Sequence, residues 1–505
     1  MNSVATYLAL LVVASIIFVV LVLFKGTKST VCFPPGPRGL PLVGNVLDMP
    51  KSHPWEAFNA WGKKWGPITH ITLFGQHFII INSLNAAIKM LEVKSSIYSD
   101  RPTFPVLGEI MGWESGVALC HYGERFRAFR RLFHQAMGTR TSVLKHYPVL
   151  ERETHRFLQR LLESPDQLMK NLQIAANATI LDVAYGYKVR DLDDPIVHIT
   201  ELANDQFARA SIPGAFLADV LPFLRYVPDW FPGTGWKQLG REWGVNVRKM
   251  VETPFEFAKR RRAAGVIVPS FTDDHITERT TKQEEDLIKW AASSITMDYF
   301  LLSTFFLAMT LYPEVQKKAW AELDSVVGSQ RLPTLADRDS LPYISGLIKE
   351  VLRWGPAAPL AGPHRLIKDD EQDGYFIPKG SSIIVNVWGM MRDESIYSDP
   401  TNFKPERFIV SEKKPAEIDP QMCFGFGRRV CPGMRVAEMS LFLFCATTLA
   451  VYEISKAIDA SGAVLYPRAE YTSCLICHPM PFQCVIKPRS ENAATLIRSL
   501  HVADG

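Results

Sequence analysis

The stretch Phe424-Gly425-Phe426-Gly427-Arg428-Arg429-Val430-Cys431-Pro432-Gly433 decides how this chain is read. Three glycines and a proline crowd one cysteine, two arginines precede it, and an apolar helix is predicted directly after it, from Met434 to about Tyr452. A thiol does its chemistry as the thiolate, and nearby cations, donated N–H groups or a metal lower its pKa. Glycine lets backbone N–H groups turn toward the sulfur, and the N-terminus of the following helix favours negative charge. The stretch therefore reads as one built to stabilise an anion at Cys431, with Arg428 and Arg429 as the nearby cations. A structural cysteine at a helix start, or a phosphate loop on Gly425 and Gly427, would use part of this pattern. Neither accounts for Phe424, Gly427, Arg429, Cys431 and Gly433 occurring together.

The rest of the composition is permissive. The chain has 505 residues, 47% of them hydrophobic, with 29 Phe, so a large core is available. Fifty-six basic residues against 52 acidic ones give a net charge of +4, and the basic residues are spread among acidic ones, so no nucleic-acid partner is expected. Eight cysteines lie at positions 32, 120, 423, 431, 445, 474, 477 and 484. Cys474 and Cys477 form a lone CxxC beside His478. Structural zinc takes four ligands, and no second pair is evident, so free thiols in a reducing cytosol are expected.

Val4 to Phe24 carries no charge over a length that spans a bilayer core. No side-chain cation precedes it, whereas Lys25, Lys28 and Arg38 follow, and positive charge tends to stay cytosolic. The reading is a signal anchor with the bulk of the chain in the cytosol; a cleaved signal peptide is the alternative. The segment Pro34 to Asn45, PPGPRGLPLVGN, is predicted to be a stiff extended strap. Ile68–Leu73 and Phe78–Ile81 are expected to pair as a hairpin through Phe74-Gly75-Gln76-His77. From about Ala86 to about Leu360 the apolar spacing is helical, and short strand-like pieces such as SIIVNVW and FQCVIKP follow. The fold class is mainly α with small β-sheets. The aromatic, proline-rich segment 222 to 233 reads either as a membrane-interface contact or as a helix-connecting loop.

The set F-x-x-G-x-R-x-C-x-G resembles the haem-binding loop of the cytochrome P450 monooxygenases and matches it at every defined position. Lys349 to Arg353, KEVLR, resembles the family's E-x-x-R helix, with Glu350 and Arg353 one turn apart on one face. Pro405 to Phe408, PERF, resembles the segment whose Arg407 closes an ion network with that pair. Tyr122 to Arg131 resembles the W-x-x-x-R helix. The resemblance covers roughly Pro34 to Pro488, and WFPG, STFFLAMTLYPEVQ and GYFIPKG resemble fungal members of secondary metabolism and detoxification. It implies a cytochrome P450 fold behind one transmembrane helix, and haem b with Cys431 as axial thiolate and metal ligand. Thiolate donation favours O–O cleavage. It further implies that Arg429 and Arg130 pair with haem propionates, that His364 or Arg365 supplies another such contact, that Phe424 packs by the sulfur, and that Gly427 and Gly433 shape the loop. Glu350, Arg353 and Arg407 form the structural ion network.

Two positions depart from the family pattern. The tryptophan of W-x-x-x-R is Phe126, which has no N–H to donate. The central helix, expected at Asp286 to Tyr312, lacks the family's glycine and acid–Thr pair, and it reads about five residues short by comparison with that pattern. Five residues is not a whole number of turns at about 3.6 per turn, so a kink, a shifted register or a remodelled pocket must follow. Thr296 and Asp298 are the nearest polar pair, in reversed order, and are not assigned the role.

The resulting expectation has three parts: an anchor over 1–33, a haem-thiolate monooxygenase domain over 34–490 and a tail over 491–505. The protein would sit in the endoplasmic reticulum membrane, single-pass, with its domain cytosolic. It would take electrons from NADPH-cytochrome P450 reductase and oxidise a hydrophobic small molecule such as a terpenoid, steroid or aromatic metabolite or xenobiotic. Arg125, Arg127, Arg131 and Arg428 are candidates for the reductase-facing surface, or are solvated charges. The central helix, Val106–Trp113 and Tyr471–Leu475 would line the substrate pocket. The alternative is a haem-thiolate binder or rearrangement enzyme with lost or altered oxygen activation.

Overall fold

A computed structural model describes residues 32–189, 193–212, 214–295, 299–410 and 415–500. The predicted anchor over 1–33, but for its last two residues, Thr296 and Asp298, and the end of the tail lie outside them. The longer elements are α1 (Pro54–Trp65), β1 (Ile68–Leu73), β2 (Gln76–Ile81), α2 (Glu124–Met137), α3 (Tyr147–Glu163), α4 (Leu168–Tyr185), α5 (Pro195–Ala210) and α6 (Gly235–Ala263). There follow α7 (Lys282–Ser293), α8 (Tyr299–Leu311), α9 (Pro313–Val326), α10 (Pro342–Trp354), β3 (His364–Arg365), β4 (Asp370–Gln372), β5 (Tyr375–Ile377) and β6 (Ser382–Val385). The chain closes with α11 (Met434–Val451), β7 (Tyr452–Lys456), β8 (Cys484–Pro488) and α12 (Glu491–Ser499).

The hairpin forms, with a tighter turn than its composition suggested. Phe74 and Gly75 both take positive φ, +48° and +83°, the geometry of a two-residue turn whose twist matches the strands. Strand β2 then pairs in parallel with β6, and β3 closes a four-stranded sheet in the order β1-β2-β6-β3. Two two-stranded ribbons, β4-β5 and β7-β8, complete the sheet content. The proline strap runs beside this sheet: Pro35 O accepts the His70 N–H at 3.1 Å, and Cys32 O accepts the Phe376 N–H at 2.8 Å.

The main core is helical. Phe157 of α3, Phe305 and Phe306 of α8, Leu347 and Val351 of α10, and Phe442 and Phe444 of α11 belong to one buried cluster. Helix α11 is long and apolar enough to cross a membrane, but most of it is buried, as a core helix must be. Helix α12 lies in the segment set apart as a tail; its Ile497 is fully buried, and Gln159 of α3 caps its end by donating to Leu500 O at 2.9 Å.

The span from Asp286 to Tyr312 is not one helix, and the departure expected there takes the form of a break. Helix α7 stops at Ser293 and α8 starts at Tyr299. The reason begins in the side chains of the last turn. The Ser294 hydroxyl donates to Trp290 O at 2.7 Å, the acceptor its own backbone N–H would use in a continuing helix. The Ser294 N–H turns instead to Ala291 O and the Ile295 N–H to Ala292 O, a three-residue closure that ends the helix. Helix α8 resumes as an almost wholly apolar element, with Leu302, Phe305, Phe306, Leu307, Ala308 and Met309 buried. Two of its polar groups are satisfied locally, Ser303 donating to Phe300 O and Thr310 to Phe306 O, each at 2.8 Å, while the Thr304 hydroxyl lies 3.5 Å from that of Tyr471.

Candidate functional site

Two tight helical turns, Pro420–Phe424 and Gly427–Arg429, carry the chain into Cys431. Gly425 and Gly427 sit between and within them at φ +85° and +54°. At Gly427 a Cβ would lie 2.1 Å from Leu91 O, so both the conformation and the close approach require glycine. The Cys431 N–H donates to Phe424 O at 2.7 Å, which folds the loop back on itself and holds Phe424 beside the cysteine. Helix α11 begins three residues after the sulfur.

Cys431 keeps accessible surface, yet protein atoms desolvate its sulfur heavily. Both hold for a group that lines a deep recess instead of the outer surface. Burial pushes the thiol pKa up, against the pull of the Gly433 N–H, the Arg130 guanidinium and the Met434 N–H. The anion-stabilising elements read from the sequence are therefore present but outweighed by desolvation. A metal cation in the proton's place would reverse that balance, since ligand thiols are deprotonated on binding.

The cations read as neighbours of the sulfur are not the ones that face it. Arg428 turns outward to the Tyr122 hydroxyl. Arg429 turns away to Ser99 O, Val117 O and Cys120 O at 2.8, 3.2 and 2.7 Å, and its guanidinium stacks 3.8 Å from the centre of the Phe126 ring. Arg130, from α2, is the cation whose field reaches Cys431, and its Nη1 donates to Val430 O at 2.6 Å. Phe126 thus supplies a face for Arg429 where the family pattern has an indole.

A second feature was not singled out from the sequence. Arg101 is buried and donates to Ala118 O, Gly362 O and Pro363 O. Burial and the Arg429 charge push Arg101 down to about 9. His364 is buried with them, its Nδ1 2.8 Å from Tyr98 O; burial, Arg101 and Arg429 push it down to about 3. Arg365, half exposed, faces Asp100 at 3.8 Å instead. Arg101, Arg429 and His364 form a buried basic group held in place by backbone carbonyls, with Asp100 the carboxylate that Arg101 and Arg429 feel. Asp100 is itself occupied by His121 and the Tyr122 N–H. Such a group suits a further anion. The signal for Arg101 in the sequence was one arginine before a proline, too common to read.

Glu350, Arg353 and Arg407 meet as one network. Arg353 and Glu350 are 2.7 Å apart with no exposed side-chain surface, and Arg407 reaches the same carboxylate at 3.0 Å. Glu417 balances Arg407 at 2.8 Å, and Arg353 fills its remaining donors with Met391 O and Pro400 O at 2.8 Å each. Every charge in this buried set has a partner, the condition under which burial is tolerated. Of the candidate reductase-facing residues, Arg125 is tied to Asp286 at 3.0 Å and to Ser115 O, while Arg127 and Arg131 are exposed.

The donor set at Cys431 fits a metal that brings its other ligands with it. Among the described residues no three His, Cys, Asp or Glu side chains gather as a bare-metal site. One cysteine in a recess fits an iron already held by a macrocycle, and the basic group around Arg101 fits the carboxylates such a macrocycle carries. Gly433 leaves room beside the sulfur: a Cβ there would stand 4.0 Å from Sγ.

Comparison with known proteins gives the same direction. The family model described as Cytochrome P450 matches residues 34–461. Cytochrome P450 monooxygenase 208 of Postia placenta is 48% identical over 500 residues, covering 98% of this chain and 97% of that one. Cytochrome P450 monooxygenase claR of Ampulloclitocybe clavipes is 44% identical over 472 residues, covering 92% and 88%. Cytochrome P450 monooxygenase ppsD of Aspergillus oryzae is 38% identical over 492 residues, covering 94% and 92%.

Proposed function

The chain belongs to the cytochrome P450 family of haem-thiolate monooxygenases, and on that premise we propose that Cys431 is the axial ligand of haem iron in an enzyme that oxidises hydrophobic small molecules. The observation that carries the assignment is a cysteine that keeps accessible surface and is yet desolvated, at the end of a glycine-shaped loop. Haem, when bound there, supplies the reductive activation of dioxygen. The protein's own part is to position and to insulate. Phe424 and the loop hold the sulfur, Arg429, Arg101 and His364 receive the propionates, and Arg130 fixes the Val430 carbonyl next to the ligand. The Glu350–Arg353–Arg407 network locks α10 to the 405–408 turn, where Gly346 allows a close approach: a Cβ there would lie 2.8 Å from Pro405 O.

In this reading the haem domain spans 34–490, and electrons come from an NADPH-cytochrome P450 reductase docking over exposed basic residues such as Arg127, Arg131 and Arg428. The first segment, Val4 to Phe24, anchors the domain on the cytosolic face of the endoplasmic reticulum. Phe223, Tyr226, Trp230 and Phe231, all exposed on one connection with Arg225 between them, support a membrane-interface contact of the 222–233 segment. The substrate is apolar, in the terpenoid, steroid or aromatic class.

The test is a reduced carbon-monoxide difference spectrum of the full-length protein. The wild type is expected to show the red-shifted Soret band of thiolate ligation, and Cys431→Ser to lose it. An unchanged spectrum in the variant would overturn the assignment. A second reading is favoured by the break between α7 and α8: a haem-thiolate protein with altered oxygen activation. NADPH consumption with added reductase separates the two. Substrate-linked turnover supports the monooxygenase, and consumption without product supports the second reading.

A further inference from the structure

The CxxC motif that the haem site leaves unused stands in a small polar constellation. No disulfide joins Cys474 and Cys477. The Cys477 thiol donates to Cys474 O at 2.8 Å, which places the second sulfur against the first residue's own backbone. Cys474 Sγ lies 2.7 Å from Ile476 O and 3.4 Å from Thr472 Oγ1. Thr472 Oγ1 in turn lies 3.4 Å from His478 Nδ1, so one hydroxyl bridges a thiol to an imidazole. The loop is pinned at both ends: the Thr472 N–H donates to His478 O at 2.9 Å and the Cys477 N–H to Ala357 O at 2.7 Å. His478 stacks on Phe300 of α8 at 4.8 Å, so the constellation abuts the remade central helix.

These contacts fit a reactive dithiol better than a pair of inert core cysteines. Cys474 is half-buried and so reachable by a small oxidant, whereas Cys477 is buried behind it, in the position of a resolving thiol. A hydrogen bond from the Cys477 thiol, which its S–H makes when turned from Cys474 O to the neighbouring sulfur, and one from the Thr472 hydroxyl pull the Cys474 thiol down to about 6. Burial pushes the His478 imidazole down, so it is neutral near pH 7 and free of a competing proton. Low-pKa thiols with a neighbouring cysteine are the sites that oxidise selectively.

We propose that Cys474 and Cys477 are a peroxide-oxidised dithiol, with Cys474 as the attacking sulfur, Cys477 as the resolving one, and hydrogen peroxide as the small molecule consumed. The Cys474 proton leaves through the Thr472 hydroxyl to His478. The thiolate attacks one oxygen of hydrogen peroxide, the O–O bond breaks, and the departing hydroxide takes a proton and leaves as water, giving a sulfenic acid. The Cys477 thiol then attacks that sulfur; the S–S bond forms, the S–O bond breaks and a second water leaves. Two thiols have lost two electrons and two protons, and one peroxide has become two waters. The inference stands on these side chains alone and does not depend on the assignment at Cys431.

The experiment treats full-length protein with increasing hydrogen peroxide, blocks remaining thiols by alkylation and maps them by peptide mass spectrometry. The peptide holding Cys474 and Cys477 is expected to lose two hydrogens at peroxide levels that leave exposed Cys32 alkylatable. In Cys477→Ser, Cys474 is expected to be trapped as a sulfenic acid by dimedone; Cys474→Ser should give neither product. Thr472→Val should slow the oxidation about twofold near pH 7, the fall in thiolate fraction when a thiol at about 6 rises by one pKa unit. The proposal fails if both cysteines remain alkylatable while Cys32 is oxidised, or if the Cys477→Ser protein yields no adduct at Cys474.

Discussion

Helix α10 and the α7–α8 junction handle buried polarity in opposite ways. Between α10 and the 405–417 segment two guanidinium groups and two carboxylates are sealed from water, and each finds a partner within the set. At the junction a serine hydroxyl takes the backbone acceptor that a continuing helix needs, and the helix ends. The first arrangement fixes geometry; the second gives it up. The elements proposed to hold haem are the fixed ones, and the element that departs from the family pattern is the one expected over the oxygen-binding face. Haem retention and oxygen chemistry should therefore be separable in this protein.

The sharpest way to break that contrast is to remove the carboxylate shared by both arginines. Glu350→Ala leaves Arg353 with no exposed side-chain surface and no counter-charge, and deprives Arg407 of one of two. Stranding a buried charge costs roughly 3–5 kcal/mol. The expected outcome is a protein recovered largely without haem, with a denaturation midpoint far below wild type by urea titration. A near-normal midpoint would mean that the network is not what holds α10 to the 405–408 turn.

A smaller loss is expected at the loop. Gly427→Ala places a methyl group 2.1 Å from Leu91 O in a backbone conformation with positive φ. Strain of this kind costs about 1–3 kcal/mol, less than the stranded charge. The variant should fold, retain haem more weakly and lose it faster to a haem acceptor such as apomyoglobin. If its haem loss matched wild type, the close approach at Leu91 would be irrelevant to the site.

These two variants also mark what the sequence made legible. Glu350 and Arg353 were readable because helical periodicity sets residues three apart on one face, and the glycine–cysteine loop because its residue types are confined by backbone geometry. The break in the central span was readable as a missing glycine and a length that no whole number of turns absorbs. Its position at Ser294 was not, because it depends on a hydroxyl choosing between two acceptors. The cations of the site were misplaced for a similar reason. Arg428 and Arg429 adjoin Cys431 in the chain, but a tight turn points neighbouring side chains apart, and the charge that reaches the sulfur comes from Arg130 on α2. Arg101 joins that group through a tertiary contact that no local pattern announces.

The smallest effect tests the other end of the domain, where the strap meets the sheet. His70 and His77 lie across the β1–β2 hairpin with Nε2 and Nδ1 2.9 Å apart, and Phe33, just before the strap, stacks on both rings, 5.0 and 5.4 Å away. Burial first, and then the neighbouring His77, push His70 down to about 4; burial also lowers His77. An unfolded chain binds protons at the ordinary histidine value of about 6.5, whereas this pair stays neutral well below it. Between those values the unfolded state holds more protons, so stability is full above about pH 6.5 and falls as the pH drops toward 4. Replacing the inner ring, His70→Phe, keeps an aromatic ring beside Phe33 and removes the larger of the two titrations, leaving that of His77. The thermal midpoint of wild type should therefore drop more between pH 7.5 and pH 5 than that of the variant. Equal drops would assign the acid sensitivity to the buried basic group around Arg101 and His364, where burial also holds a histidine neutral.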